Sequence, residues 1–272
     1  MSTRSTIRKG PLNGAYEHEL ALARKAALAA GAVLERYYRE RGFEISSKGR
    51  DNPVTTADFE ADRTLREMLC AGFPDYGWLS EETADNGERL KRERVWIVDP
   101  LDGTKEFIKG VPEFAVAIAL SERGEAVLGV TYNPIKRELV WGARGAGCHL
   151  GEREVQVTRT RMLKHAVVLA SRSETSRGEW RAYEGTVQVK AVGSVAYKLA
   201  LVAAGAADAT FSRSPKSEWD IASGAALIEA AGGRITDIER RPMTFNKPSV
   251  KLKGLVASNG LVHEELERLA SR

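Results

Sequence analysis

Between residues 16 and 41 apolar side chains recur at spacings of three and four. Leu20, Ala23, Ala27, Ala30, Leu34 and Tyr37 share one stripe, which predicts a helix with a single buried face. Gly42 supplies a stop signal. A polar stretch over 46–52 leads to Pro53, and a second helix is expected over 56–70. Phe59, Leu65, Met68 and Leu69 point inward on this reading, with Gly72 at the end.

The period then changes. Residues 95–98, Val-Trp-Ile-Val, form a short apolar run that ends at Asp99-Pro100. It reads as a buried strand delivering Asp99 to a loop. Residues 114–120 and 126–132 predict two strands around the turn 122–125, and 138–141 a third. Strands in succession after two helices argue for α+β and not for alternating βαβ units. Further on, 167–170, 187–192, 210–211 and 255–258 read as strands. The stretches 196–207, 221–231 and 264–270 read as helices, with Gly232-Gly233 ending the second. The organisation expected is a loose tail over 1–14, an N-terminal α+β subdomain over 15–154 and a C-terminal α/β subdomain over 155–272. The two subdomains share one interface.

Composition narrows the class. The 272 residues are 43% hydrophobic and 29% charged, ordinary for a globular protein. Basic residues exceed acidic ones only by 41 to 37, and no basic block interleaved with aromatics is present, so a nucleic-acid polymer is not an expected partner. Cys70 and Cys148 form no Cys-x-x-Cys pair, which argues against zinc and redox motifs. Cys70 is expected to be a small buried hydrophobe. No apolar run reaches about 18 residues, so neither a membrane span nor a signal peptide is expected, and the default is a cytoplasmic protein. His18, His149, His165 and His263 have no ligand spacing. Trp96 and Trp219 are expected in the core.

The chemistry concentrates in carboxylates. Glu81 and Glu82 follow Ser80 in a loop-like segment, Asp99 and Asp102 follow a strand, and Asp220 precedes a helix. Carboxylates gathered at strand ends suit a hard divalent cation such as magnesium. Gly103 permits close backbone approach to an anion, and Thr104 adds a hydroxyl. A helix starting after Gly103 would direct free N–H groups at a phosphate. Of the adjacent pair, Glu81 is the expected ligand and Glu82 a solvated neighbour.

Four segments now carry a resemblance. Asp99-Pro100-Leu101-Asp102-Gly103-Thr104 resembles the signature of the inositol monophosphatase superfamily. So do Pro53-Val54-Thr55-Thr56-Ala57-Asp58, Leu79-Ser80-Glu81-Glu82, and Glu218-Trp219-Asp220-Ile221-Ala222-Ser223-Gly224 with its following Glu229-Ala230-Ala231-Gly232-Gly233. They stand in the family's order. The extension Lys105-Glu106-Phe107-Ile108-Lys109, the segment Ser212-Arg213-Ser214-Pro215, and Lys198 are similar to the bacterial 3′(2′),5′-bisphosphate nucleotidases of the CysQ type. Gly205-Ala206-Ala207-Asp208-Ala209 is equally at home among inositol monophosphatases.

The resemblance implies a layered αβαβα sandwich and a lithium-sensitive phosphatase using two or three magnesium ions, with manganese a substitute. It implies that Glu81, Asp99 and the Leu101 carbonyl hold one ion, and Asp99, Asp102 and Asp220 another. Thr104 paired with Asp58, together with Glu81, would prepare the attacking water. Gly103 and Thr104 would bind phosphate through their N–H groups, and Ser194, Lys198 and Arg213 would contact the rest of a small phosphorylated substrate. The implied reaction is hydrolysis of 3′-phosphoadenosine 5′-phosphate to AMP and phosphate. The alternative is inositol-1-phosphate or fructose-1,6-bisphosphate hydrolysis, and a remote one is a non-catalytic binding protein. Many members of the family are homodimers.

Overall fold

The computed structural model describes residues 16–49 and 53–271. The expected tail over 1–14 and part of the polar stretch before Pro53 lie outside them. Helix α1, Glu17–Glu40, buries the predicted alanine-rich stripe, with Leu20, Ala23, Ala27, Ala30 and Leu34 shielded from solvent. It closes at Arg41 and not at Gly42. Arg41 takes a left-handed φ of 56°, while its guanidinium donates to the carbonyls of Phe107 and Ile108 at 3.2 and 2.5 Å. Those bonds hold a conformation that side chains with a Cβ seldom adopt.

A short antiparallel pair, β1 Ile45–Ser47 and β2 Pro53–Thr55, leads into α2, Thr56–Gly72. The buried positions of α2 are Ala57, Ala61, Leu65 and Leu69, four apart. Phe59 falls on the opposite side of that stripe and is 49% exposed, contrary to the sequence expectation. Met68 is half-buried, as is Cys70.

Seven strands then form one sheet in chain order: β3 Gly77–Ser80, β4 Arg94–Asp102, β5 Ala115–Glu122, β6 Glu125–Asn133, β7 Glu138–Ala143, β8 Gly147–Leu150 and β9 Arg153–Val155. Only β3 and β4 run parallel. Between β4 and β5 lies the six-residue α3, Thr104–Lys109. The central strands β4 to β7 are buried along most of their length because both faces are covered. Along β4, Trp96 and Val98 join the cluster of α1 and α2, and Val95 and Ile97 join the cluster beneath the second half of the chain. The alternation is the two-residue period of a strand.

The second half builds β10 Val167–Ser171, α4 Arg172–Ser176, β11 Gln188–Val192, α5 Val195–Ala203, β12 Ala209–Ser212, β13 Lys216–Ser217, α6 Glu218–Ala230, β14 Arg234–Thr236, β15 Lys251–Leu252, β16 Leu255–Ser258 and α7 His263–Ala270. A five-stranded sheet has the order β11-β10-β12-β16-β14, with β10 parallel to both β11 and β12. Helices α5 and α6 lie between this sheet and the seven-stranded one, and α7 covers the far side. The layers are therefore helices, sheet, helices, sheet and helix, the αβαβα sandwich. Among the described residues no helix is long and apolar enough to cross a membrane.

Candidate active site

The site grows from the end of β4. Its pairing with β5 slips between Asp99 and Asp102, where three steps on β4 oppose two on β5. Such a bulge bends the strand and re-aims its side chains. Asp99 is left 1% exposed, and its Oδ1 accepts the Leu101 N–H at 3.0 Å. Gly103 follows with φ 100°. A Cβ there would stand 3.0 Å from the Glu113 carbonyl oxygen and 3.2 Å from Phe114 Cα, so only glycine turns this corner freely. Helix α3 begins at the next residue, as the sequence required for a phosphate-facing helix start.

Parallel pairing of β3 with β4 sets their C-terminal ends side by side, and the Glu81 N–H bonds the Val98 carbonyl at 3.3 Å. Glu81 and Glu82 lie just past the end of β3, in a bend, as the loop-like reading of that segment expected. Asp220 arrives on the first turn of α6, where its Oδ2 accepts the Ser217 N–H at 2.8 Å in a capping box. One carboxylate oxygen from each of Glu81, Asp99 and Asp220 lies within 4.8 Å of the others. Asp102 stands beside this trio and not in it. Its Oδ2 accepts from the Ser194 hydroxyl and the Ala196 N–H, both at 2.6 Å, which ties β4 to the start of α5.

Electrostatics decide what such a cluster can hold. Burial, then the charges of Glu81, Asp102 and Asp220, hold the Asp99 carboxyl well above the usual range. Burial, then Asp102, pushes Asp220 up to about 7. Burial also raises Asp102, opposed by its bonds to Ser194 and Ala196. Negative groups this close ionise together only beside a cation. The donor set is all oxygen, which fits magnesium and not a soft metal. The residues present therefore fit the ion that the resemblance implies.

Beside the trio, Thr104 Oγ lies 3.1 Å from Asp58 Oδ1 and 3.2 Å from the Leu101 carbonyl oxygen. A hydroxyl has one proton; donated to Asp58, it leaves the Leu101 carbonyl free for a cation. The other Asp58 oxygen accepts from the Thr55 N–H and hydroxyl at 2.8 and 2.6 Å. Burial nonetheless raises Asp58 to about 6. Asp58 is thus a helix-entry residue and the partner of Thr104 at once.

Glu82 is not a solvated neighbour. Its side chain is 2% exposed and accepts from Lys48 Nζ at 2.7 Å, while the same ammonium reaches Glu81 at 3.0 Å. Burial pushes Glu82 up to about 7 against the pull of Lys48. A lysine on the hairpin after α1 had no sequence signal linking it to Glu81, because the two are brought together only by folding.

Glu81, Asp102, Thr104 and Asp220 line a cavity of about 610 Å³. Lys105, Lys198, Lys216 and Lys251 line it, as do Ser194 and Trp219. Trp219 is half-buried at the cavity wall, not in the core. Lys198 is 5% exposed, and burial, then Lys216, lowers its ammonium to about 8. Ser194 caps α5 with φ 60°, its oxygen accepting the Tyr197 N–H at 3.0 Å. Lys216 and Lys251 were missed in the sequence. They sit on the paired β13 and β15, 35 positions apart, and only Lys216 had a clue, its place just before Trp219-Asp220. Arg213, expected among the substrate contacts, does not line this cavity but a neighbouring one of about 360 Å³.

A model described as "Inositol monophosphatase family" matches residues 15–271. An inositol-1-monophosphatase of Caulobacter vibrioides is 37% identical over 257 residues, covering 90% of this chain and 98% of that protein. A 3′(2′),5′-bisphosphate nucleotidase CysQ of Salmonella typhimurium is also 37% identical, over 224 residues, covering 80% and 89%. The crystal structure of the suppressor protein suhB from Bartonella henselae superposes with a TM-score of 0.83 at 33% identity, covering 93% of this chain and 98% of that one.

Proposed function

The chain belongs to the inositol monophosphatase family of metal-dependent phosphatases, and from that premise we propose that its substrate is a phosphate monoester bearing a second phosphate. The substrate best suited is 3′-phosphoadenosine 5′-phosphate, hydrolysed to AMP and phosphate. The observation that carries this reading is the set Lys198, Lys216 and Lys251 on the wall of the cavity that Glu81, Asp102 and Asp220 also line. The metals answer the charge of the reacting phosphate; the lysines are left to answer another.

Glu81, Asp99, Asp220, the free oxygen of Asp102 and the Leu101 carbonyl would hold magnesium. When bound, magnesium lowers the pKa of a coordinated water and stabilises charge on the phosphoryl oxygens. The chain's own part is proton handling and positioning. Asp58 accepts the proton of Thr104 Oγ, and Thr104 in turn orients the attacking water. Ser194 and the Ala196 N–H fix the rotamer of Asp102. The N–H groups of Gly103 and Thr104 would meet the phosphate. Lithium inhibition is expected on the same reading.

The identity to the Caulobacter inositol-1-monophosphatase, over nearly that whole protein, supports inositol-1-phosphate as a second reading. Phosphate release with magnesium should be compared on the bisphosphate nucleotide, inositol-1-phosphate and fructose-1,6-bisphosphate. The nucleotide is expected to have the highest kcat/KM. Equal or better turnover of inositol-1-phosphate would sink the nucleotidase reading. Asp99→Asn should abolish turnover on all three with the circular dichroism spectrum retained; full activity in that variant would refute the metal assignment.

A further inference from the structure

The neighbouring cavity has the furnishings of a ring-binding pocket. It is lined by Trp180, Tyr183 and Phe211, which pack on one another with ring centroids 4.6 to 5.3 Å apart and show the cavity only a 4 to 7% exposed edge each. The exposed guanidinium of Arg213 stands at its rim. Its wall includes Glu174, a carboxylate 6% exposed. Glu174 accepts from Trp180 Nε1 and Ser212 Oγ, each at 3.0 Å. One bond to each oxygen leaves further lone pairs unused, and among the described residues Glu174 makes no salt bridge. A buried carboxylate without a cation is an acceptor for N–H or O–H donors of a ligand.

The two cavities adjoin through two stretches of chain. Ser171 and Ser173 line the larger and Glu174 the smaller, while Ser214 lines the smaller and Pro215 and Lys216 the larger. Glu174 also raises the basicity of Lys198, so its charge reaches into the larger cavity. A ligand with phosphates among the lysines therefore lies next to the aromatic-lined cavity. At about 360 Å³ the smaller cavity falls in the range of pockets for small ligands.

We propose that this pocket takes the heteroaromatic base of a nucleotide whose phosphate lies at the acidic trio. The base would rest against the Trp180–Tyr183–Phe211 cluster beneath Arg213, with its amino group donating to Glu174. The assignment rests on the nucleotide reading of the larger cavity and gives Arg213 a role that the metal site does not.

Two measurements test it on the full chain. In the first, AMP without metal is titrated while intrinsic tryptophan fluorescence is followed. Saturable quenching is expected in the wild type and its loss in Trp180→Phe; identical traces in the two would overturn the proposal. In the second, KM and kcat are measured on 3′-phosphoadenosine 5′-phosphate and on fructose-1,6-bisphosphate, which has no base. Glu174→Gln and Arg213→Ala should raise KM for the nucleotide about tenfold more than for the sugar, the loss expected for one charge-assisted hydrogen bond. Arg213 is exposed, so its variant reports even if Glu174→Gln fails to fold. An equal loss on both substrates would overturn the pocket while leaving the nucleotidase reading intact. Quenching through Trp180 with no nucleotide preference would instead support the pocket and defeat the substrate reading.

Discussion

Thr104 and Asp58 belong to different helices, 46 positions apart, and meet at 3.1 Å. Their pairing separates two roles that sequence left merged, helix capping and water activation. Asp58 gives one oxygen to Thr55 and the other to Thr104, so the cap orients the base. Thr104→Ala should lower kcat about a hundredfold, the lower range for loss of a positioned proton acceptor. Thr104→Ser, which restores the hydroxyl, should recover most of it. Steady-state assays at saturating magnesium check this; equal kcat in the alanine and serine variants would remove the hydroxyl from the reaction. Glu82 teaches the opposite lesson. Polarity along the chain placed it in solvent, yet its environment is set by β3 and Lys48, and neither burial nor that contact is encoded locally.

At the scale of elements, α5 and α6 decide where the two ends of the site meet. Helix α5 starts at the residues that hold Asp102, and the first turn of α6 carries Asp220. Their separation depends on Gly224, where a Cβ would come within 2.3 Å of Leu199 Cβ. Neither atom is the flexible end of a side chain, so the helices must part. Gly224→Ala should destabilise the protein by about 1–3 kcal/mol, the usual cost of overpacking, and should weaken magnesium binding in the fraction that folds. Urea unfolding and a magnesium titration read the two effects; an unchanged midpoint would show that the helices separate without cost. The sequence offered Gly224 only as part of a motif. Its steric reason appears when Leu199 is set against it.

At the scale of the whole molecule, layering gathers carboxylates from the ends of β3 and β4 and the first turn of α6 at one end of the sandwich, where burial and their mutual repulsion favour the protonated forms. The cost is pH-dependent. The Asp220 carboxyl is held at about 7 in the folded protein against 3.8 for the free group. Between those values the folded state binds a proton that the unfolded state has lost, so stability falls as pH rises through that window. Asp58, held at about 6, acts in the same direction. Metal-free protein should therefore melt at a lower temperature at pH 8 than at pH 5.5. Magnesium, which replaces the protons, should raise the melting temperature more at pH 8. Thermal melts in chelator and in magnesium at the two pH values test this, and a magnesium shift that is larger at pH 5.5 would contradict it.

The sequence by itself determined the elements with strong period and the residues whose chemistry is local. The stripe of α1, the runs of β4 to β7, and the segment Asp99 to Thr104 with its glycine corner were all legible, because helix and strand periods and turn geometry act over a few residues. Four ordered motifs were enough to indicate the family and the sandwich. Tertiary structure alone decided which charges share a space. It set Asp102 beside the Glu81–Asp99–Asp220 trio with one oxygen turned toward Ser194, brought Lys216 and Lys251 to the cavity wall, and placed Arg213 on a second cavity. These placements depend on pairing between strands and packing between helices far apart in the chain. The energies involved, desolvation and Coulomb attraction, act through space and leave no period in the sequence.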